Sequence, residues 1–551
     1  MCGIFSLLNY VNYDMDFINE QFLKGQSRGP EDTKINTYDN NVLLGFHRLA
    51  INGLNSESNQ PLDINNVILI CNGEIYNYKK LYKQLNVKPT TDSDCEVIIY
   101  CYLKYGIEYT LQMLDGVFAF ILYDLRLNKL YAARDPFGVR PMFTMTDSSN
   151  KSIGFSSELK QLNMFSNNVE QVSPGHFYQY DKSISVNSYG LMGQKWIQTE
   201  KVCYHRLPFY KQIINTDYEL SEYIHRIKAA FEKAVSKRVV TTDRPIACLL
   251  SGGLDSSLVC ALVCKYSSTR IKTFSIGLPD SEDLKYARKV AEFLNTDHSE
   301  IIVSERDFFE AIPDVIKAIE SYDTTTVRAS VGNYLLGKYI KANTECKVIF
   351  NGDGSDELAG GYLYFHKAPE VYEFDRECRR LLCNINYFDV LRSDRCISVH
   401  GLEARTPFLD RSWVDFYLSI PIEFRCHTNI NKCEKYLIRS AFEGYLPKEV
   451  LWRKKEAFSD GVSGLQKSWY QIIQENIDDL PSEELSKMHE FIQMECNNKH
   501  NKPTTNEQKY YRYLFEQNYK SCEKVIPYFW MPKYVEATDS SARTLNVYKE
   551  I

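Results

Sequence analysis

Residues 245–257 read Pro245-Ile246-Ala247-Cys248-Leu249-Leu250-Ser251-Gly252-Gly253-Leu254-Asp255-Ser256-Ser257. A short apolar run, the length of a buried strand, passes through two glycines into a helical stretch that continues from Leu254 to Cys264. The glycines let backbone approach a phosphate closely, the serines add hydroxyl donors, and the free N–H groups of a helix start favour an anion. An aspartate inside a phosphate loop is repelled unless a cation intervenes, so Asp255 points to Mg²⁺.

The same rhythm extends outward. Ile271–Ile276 is strand-like, and Asp283–Leu294 follows with Ala287, Val290, Ala291 and Leu294 on one helical face. A further apolar run, Lys347–Phe350, again enters a glycine-rich turn, Asn351-Gly352-Asp353-Gly354-Ser355-Asp356-Glu357. Strand and helix in alternation predict a parallel sheet covered on both sides, with ligands at the carboxyl ends of its strands. Both glycine-rich turns fall at such ends. Gly332 to Lys338 copies the spacing of a P-loop, but Tyr339 stands where a Ser or Thr would hold magnesium. Val331, Leu335 and Tyr339 share helical spacing, so this segment reads as plain helix. Beyond about residue 370 the chain reads mostly helical.

Toward the N-terminus the pattern changes. The first ~190 residues are short apolar runs broken by turns, with candidate strands Val67–Cys71, Val117–Tyr123 and Leu130–Ala133. Helical spacing at Tyr78–Leu85 and Cys95–Leu103 makes this domain mixed rather than all-β. Around Tyr204–Asp217 the pattern loosens into polar and aromatic residues with Pro208. The expected division is a first domain over 1–200, a linker over 201–217 and a second domain over 218–551.

The 551 residues are 44% hydrophobic and 25% charged, enough to bury a core without staples. A net charge of −6 excludes a polycationic nucleic-acid coat and argues against an anionic-membrane binder. No segment approaches the ~18 consecutive apolar residues of a membrane span. The opening Met-Cys-Gly-Ile-Phe lacks the features of a signal peptide, so a cytoplasmic location is expected. None of the 16 cysteines form a Cys-x-x-Cys motif, and in a reducing compartment they should be small buried hydrophobes. Cys2 is the exception. Removal of Met1 would leave it with a free α-amine, whose pKa of ~7.7–8.0 suits it to take the thiol proton. The thiolate could then attack a carbonyl carbon. Asn72-Gly73-Glu74, after the strand Val67–Cys71, offers an amide and a glycine N–H, the two donors an oxyanion needs. The triplet also suits an ordinary Asn-Gly turn. Arg48 could clamp a carboxylate, and Asp94 could hold an ammonium.

Taken together, Met1-Cys2-Gly3-Ile4, Arg28-Gly29-Pro30, Arg48-Leu49, Asn72-Gly73-Glu74-Ile75-Tyr76-Asn77, Ser93-Asp94 and Arg134-Asp135-Pro136-Phe137-Gly138 resemble the class-II glutamine amidotransferase domain. The resemblance implies an N-terminal-nucleophile α-β-β-α sandwich in which Cys2 attacks the side-chain amide of glutamine. Asn72 and Gly73 would stabilise the oxyanion, Arg48 would bind the α-carboxylate, and Glu74 and Asp94 the α-amine. Leu49, Ala50, Ile51 and Asn52 would complete the glutamine site.

The loop 251–257 resembles the pyrophosphate loop of ATP pyrophosphatases, and with a terminal-cysteine glutaminase it resembles the glutamine-hydrolysing asparagine synthetases. Further matching segments are 321–329, 354–357, 401–410, 455–461 and Ser540-Ser541-Ala542-Arg543. This implies a doubly wound α/β synthetase domain with a helical C-terminal part. Leu250, Ser251, Gly252, Gly253, Asp255, Ser256, Ile276, Asn351 and Gly352 would bind ATP, and Asp255 and Asp356 would hold Mg²⁺. Lys455 would neutralise phosphate charge, and Arg328 and Glu357 would bind aspartate. ATP would activate the β-carboxylate of aspartate as β-aspartyl-AMP, releasing pyrophosphate, and ammonia from glutamine would displace AMP. The expected partners are therefore glutamine, aspartate and ATP, with no nucleic acid and no membrane, and a homodimer by analogy.

One position departs from the family. Asp353 stands where a glutamate is usual, implicated in forming the acyl-adenylate or in its ammonia attack. Its carboxylate is one methylene shorter, so activity is expected to survive, slowed. Two alternatives remain: an adenylating relative with another acceptor, such as a β-lactam-forming enzyme, or a weakened glutamine- or ATP-binding protein. Retained Cys2 speaks against the first, and retained Cys2, Asp255 and Asp356 speak against the second.

Overall fold

The computed structural model describes residues 1–39, 41–186, 192–209, 219–464, 466–496 and 500–550. The chain divides into two compact units. The first comprises 1–206 with two short stretches from the second half of the chain, 398–402 and 519–525. Both stretches fall within the expected second domain, 218–551, yet cluster with the first unit. Residues 210–218 of the expected linker lie outside the described residues.

The first unit holds two six-stranded antiparallel sheets. One runs, edge to edge, Val169–Gln171, Phe143–Asp147, Ser152–Ser156, Gly3–Leu8, Val42–Arg48 and Asp32–Tyr38. The other runs Met192–Cys203, His176–Val186, Lys129–Arg134, Gly116–Asp124, Val67–Ile75 and Leu62–Ile64. Period-2 alternation sends Ile4, Leu8, Leu44 and Phe46 of one sheet against Ile68, Ile70, Ala119 and Ile121 of the other, forming a dry core between them. The opposite residues of the second sheet, among them Leu69, Cys71, Phe118 and Phe120, pack under helices Tyr78–Leu85 and Val97–Met113. Helix Met15–Leu23 covers the first sheet through Ile18 and Phe22, whose ring lies 5.6 Å from that of Phe5. The expected α-β-β-α sandwich is the observed one.

The second unit is built on a five-stranded parallel sheet in the order Asp297–Ile302, Lys272–Gly277, Ile246–Leu249, Val348–Phe350, Glu403–Arg405. The chain winds outward from Ile246–Leu249 in one direction, then returns to add Val348–Phe350 on its other side. These two neighbours therefore flank the topological switch point, and each leads directly into one glycine-rich turn. The segment read as a decoy P-loop lies within helix Thr324–Asn343. Beyond residue 370 the chain is mostly helical, as expected, except for the edge strand Glu403–Arg405.

Just past that strand, Asp410 caps helix Arg411–Ser419 by accepting from Trp413 N at 3.1 Å. It also pairs with Arg238 at 2.6 Å and Lys237 at 2.5 Å on helix Leu220–Val240. Burial works against the charged form, yet the two cations hold the carboxyl down to about 2. Its stabilisation is complete above the unfolded value of ~3.9 and is lost as pH falls toward 2. Asp410→Ala, which strands two cations, should lower the unfolding free energy of the second unit by about 3–5 kcal/mol at neutral pH, measured by denaturant titration. An unchanged midpoint would show the cluster to be incidental.

Candidate active sites

In the first unit Cys2 immediately precedes strand Gly3–Leu8, and its thiol donates to the Leu49 carbonyl at 3.5 Å. Arg28 Nε holds the Cys2 carbonyl at 2.9 Å. The Met1 amine donates to Leu402 O at 2.8 Å, and the Met1 side chain is buried. With Met1 attached, the Cys2 nitrogen is a peptide amide, so the expected thiol activation depends on its removal.

Asn72-Gly73-Glu74 is not a turn after a strand. The strand continues through Ile75, with Asn72 opposite Ala119 and Gly73 opposite Phe118. A Cβ on Gly73 would meet Val117 O at 2.5 Å, so the strand pairing itself demands glycine. Asn72 is buried, and among the described residues its Nδ2 has no hydrogen-bond partner. An unsatisfied buried donor costs about 1–3 kcal/mol, which a bound oxyanion would recover. Around it, Asn52 Nδ2 donates to Glu74 Oε2 at 2.5 Å, Asp94 Oδ2 accepts from Ile75 N at 2.6 Å, and Ala50 N donates to Glu31 Oε2 at 2.7 Å. Arg48 grips the neighbouring turn through the carbonyls of Gly53 and Asn55 and the Asn59 side chain. Leu49, Ala50 and Ile51 are buried beside it.

The second unit has a cavity of about 160 Å³ at the switch point of its sheet. Its walls include Leu250, Ser251, Gly253, Asp255, Ser256, Ile276, Asn351, Gly352, Asp353, Asp356, Glu357 and Lys455. Helix Leu254–Tyr266 starts there without a side-chain cap, leaving its first N–H groups open to an anion. Gly252 stands at φ +73°, and a Cβ there would meet Ala287 N at 2.4 Å. A Cβ on Gly352 would meet Ser256 N at 2.7 Å, so the two glycine loops touch through that glycine. Asn351 Nδ2, buried in the wall, has no partner among the described residues.

Two lysines sit between two aspartates on one side of this cavity. Lys435 Nζ lies 2.6 Å from Asp255 Oδ2 and 2.5 Å from Asp356 Oδ1, and Lys455 Nζ lies 2.6 Å from Asp356 Oδ2. Burial opposes the charge on Asp356, but Lys435 and Lys455 outweigh it and hold the carboxyl well below its usual range. On Lys455 burial is likewise overcome, by Asp356 and Asp255, and the ammonium is held charged. Two carboxylates facing a phosphate loop suit a divalent cation that takes its remaining oxygens from phosphates. Among the described residues no group of three or more His, Cys, Asp or Glu could hold a metal alone.

A second cluster lines the same cavity. Asp353 is held by Arg392 and Ser393, and Arg392 also reaches Asp389 at 3.1 Å. Tyr362 donates to Glu357 and lies 3.4 Å from Asp389. Burial, then Asp389 and Asp356, push the Glu357 carboxyl well above its ordinary value.

Known proteins match this chain along its whole length. The description "Asparagine synthase" fits residues 226–374 and 367–518, and "Glutamine amidotransferase domain" fits residues 1–190. The asparagine synthetase [glutamine-hydrolyzing] of Gallus gallus is 41% identical over 583 aligned positions, covering 100% of this chain and 99% of its own length. That of Homo sapiens is 40% identical over 580, with the same coverage. The chain belongs to the asparagine synthase family.

Against the asparagine synthase pattern, two expected ligands fall outside the cavity. Gly252 makes the turn rather than lining the wall, and its carbonyl accepts from Arg453 at 3.2 Å. Arg328 is also absent from the walls. Its guanidinium is buried between Glu507, with Nε to Oε1 at 2.8 Å, and Asp539, at 2.7 Å. The cavity residues that escaped sequence reading include Lys435, Arg392, Asp389 and Tyr362. Lys435 sits in no motif, and only the folded chain shows its two carboxylate partners. Gly252→Ala should cut nucleotide affinity on the order of a hundredfold by displacing the loop ~1 Å, with glutamine hydrolysis unchanged. Calorimetric titration with ATP checks this, and wild-type affinity would refute it.

Proposed function

We propose that this chain makes asparagine from aspartate, with glutamine as nitrogen donor and ATP cleaved to AMP and pyrophosphate. The observation that carries the reading is the alternation of Asp255, Asp356, Lys435 and Lys455 against the loop 251–257 in one cavity. Cys2 Sγ gives its proton to the freed α-amine and attacks the amide carbon of glutamine, and the oxyanion is met by Asn72 Nδ2 and Gly73 N. The carbon–nitrogen bond breaks as that proton passes to the departing ammonia, and water then releases glutamate from the thioester. Arg48 orients the α-carboxylate, and Glu74 and Asp94 the α-ammonium.

In the second unit the nucleotide lies along Leu250, Ile276, Asn351 and Gly352, with its phosphates over Ser251, Gly253 and Ser256. Asp255 and Asp356 would hold Mg²⁺, which when bound would supply positive charge against the phosphates. Lys435 and Lys455, drawn from the carboxylates to phosphate oxygens, stabilise charge as the β-carboxylate of aspartate attacks the α-phosphorus and pyrophosphate leaves. Aspartate takes the end of the cavity formed by Asp353, Glu357, Asp389 and Arg392, where Arg392 supplies the cation first assigned to Arg328. Ammonia attacks the acyl carbon, the carbon–oxygen bond to AMP breaks, and a carboxylate of this cluster takes the proton lost from nitrogen. Arg392 and Ser393 both reach the shorter Asp353, compensating for the missing methylene.

Cys2→Ala should abolish glutamine-dependent asparagine formation and leave ammonia-dependent formation within about twofold of wild type, read by amino-acid analysis. The intact mass of purified wild type should lack one methionine. Loss of both activities together, or ADP and orthophosphate as products, would contradict the reading.

A further inference from the structure

The signature Ser540-Ser541-Ala542-Arg543 has no place in the chemistry above, and none of its residues lines the cavity. The contacts of Ser541, Ala542 and Arg543 nonetheless converge on the segment 454–464 that carries Lys455, while Ser540 accepts from Arg328 at 3.4 Å. Arg543 Nε donates to Glu456 Oε1 at 2.7 Å, and Arg543 Nη1 to Gly464 O at 2.8 Å. The Tyr548 hydroxyl donates to Glu456 Oε2 at 2.9 Å, and Lys454 Nζ donates to the Tyr548 carbonyl at 2.6 Å. Ser541 Oγ and Ala542 N both donate to Asp460, at 2.7 and 3.2 Å. The residues immediately before and after Lys455 are thus both tied to the C-terminal segment.

The segment is anchored at each end. At its start Asp539 accepts from the buried Arg328 on helix Thr324–Asn343, a helix that contributes Thr325, Ala329, Asn333 and Leu336 to the cavity wall. At its end Leu545 and Val547 are buried in an apolar cluster with Leu363, Tyr364, Phe365 and Trp530, beside Tyr362 of the opposite wall. A lysine on a flexible four-carbon stem has many rotamers, so its flanking backbone must be fixed for the ammonium to stay on target. Regular structure does not supply this around Lys455: the stretch from Arg453 to Ala457 has none, and the next helix begins only at Phe458.

We propose that residues 539–548 are a strap that positions Lys455 for adenylation, with Arg543 as its principal positioning residue and Arg328 as its anchor. This rests on the adenylating function proposed above and adds a role for a segment remote from the reacting atoms. Arg328 is thereby reassigned from substrate contact to scaffold.

The test uses the full-length protein and follows pyrophosphate release with ATP, Mg²⁺, aspartate and ammonia. Arg543→Ala should lower kcat ten- to a hundredfold while KM for ATP changes less than threefold, because the lysine acts on the transition state and not on nucleotide docking. Glutamine hydrolysis should be unaffected. Reversing the pair, Arg543→Glu with Glu456→Arg, should recover most of the lost kcat, whereas Arg543→Glu alone should not. Should Arg543→Ala unfold at assay temperature, Tyr548→Phe, which removes one hydroxyl, should lower kcat two- to tenfold at unchanged KM. Unchanged kcat in these variants, a loss matched by an equal rise in KM, or no recovery on reversal would overturn the strap. Wild-type protein that releases no pyrophosphate would instead overturn the functional reading beneath it.

Discussion

Two ammonium groups set among two half-buried carboxylates are the constraint on which the synthetase unit depends. Asp255, Lys435, Asp356 and Lys455 form a chain of alternating charge in a place where an isolated charge would be prohibitively costly. As it stands the chain is neutral. A nucleotide brings several negative charges into the same cavity, and the site has counter-charges already ordered to receive them: cations for the phosphates, and carboxylates for the metal that accompanies them. Binding then exchanges partners within a set of groups whose desolvation was met during folding.

The rest of the second unit serves to bring those four residues together. Asp255 comes from the first turn of helix Leu254–Tyr266, which follows Ile246–Leu249, and Asp356 from the first turn of the short helix Ser355–Ala359, which follows the parallel neighbour Val348–Phe350, on the two sides of the switch point. Gly352 lets the two loops touch, since any larger side chain would strike Ser256 N. The lysines arrive from elsewhere. Lys435 precedes the short helix Tyr436–Ala441, and Lys455 lies in irregular chain held by hydrogen bonds from residues 541–548. Parallel-sheet topology supplies the acids, and long-range ties supply the bases.

That asymmetry explains what the sequence disclosed. Elements with strong local periodicity were legible nearly to the residue: Tyr78–Leu85 is the helix expected, and the strand read at Ile271–Ile276 is observed at Lys272–Gly277. Both phosphate-loop turns were visible because glycine and serine punctuate a strand–helix junction. The strand Glu403–Arg405 was not, since three residues carry no period and two of them are charged; they are buried because Arg405 pairs with Glu403 at 2.9 Å. Asn72 and Gly73 were read as a strand end for a related reason, as polar residues interrupt an apolar run even where pairing continues. Lys435 and Arg392 were invisible because a single cation acquires meaning only from partners brought to it by folding. Arg328 shows the opposite case: its motif is recognisable in the sequence, but its ion pairs with Glu507 and Asp539, some two hundred residues away in the chain, are not.

The account turns on whether the acid group of aspartate is activated by direct attachment to the α-phosphorus in this cavity. Aspartate labelled with ¹⁸O in its β-carboxylate, incubated with the enzyme, ATP, Mg²⁺ and ammonia, tests this by mass spectrometry of the products. One ¹⁸O atom should appear in AMP for each asparagine formed, with none in pyrophosphate. Unlabelled AMP, or label in pyrophosphate or orthophosphate, would contradict it.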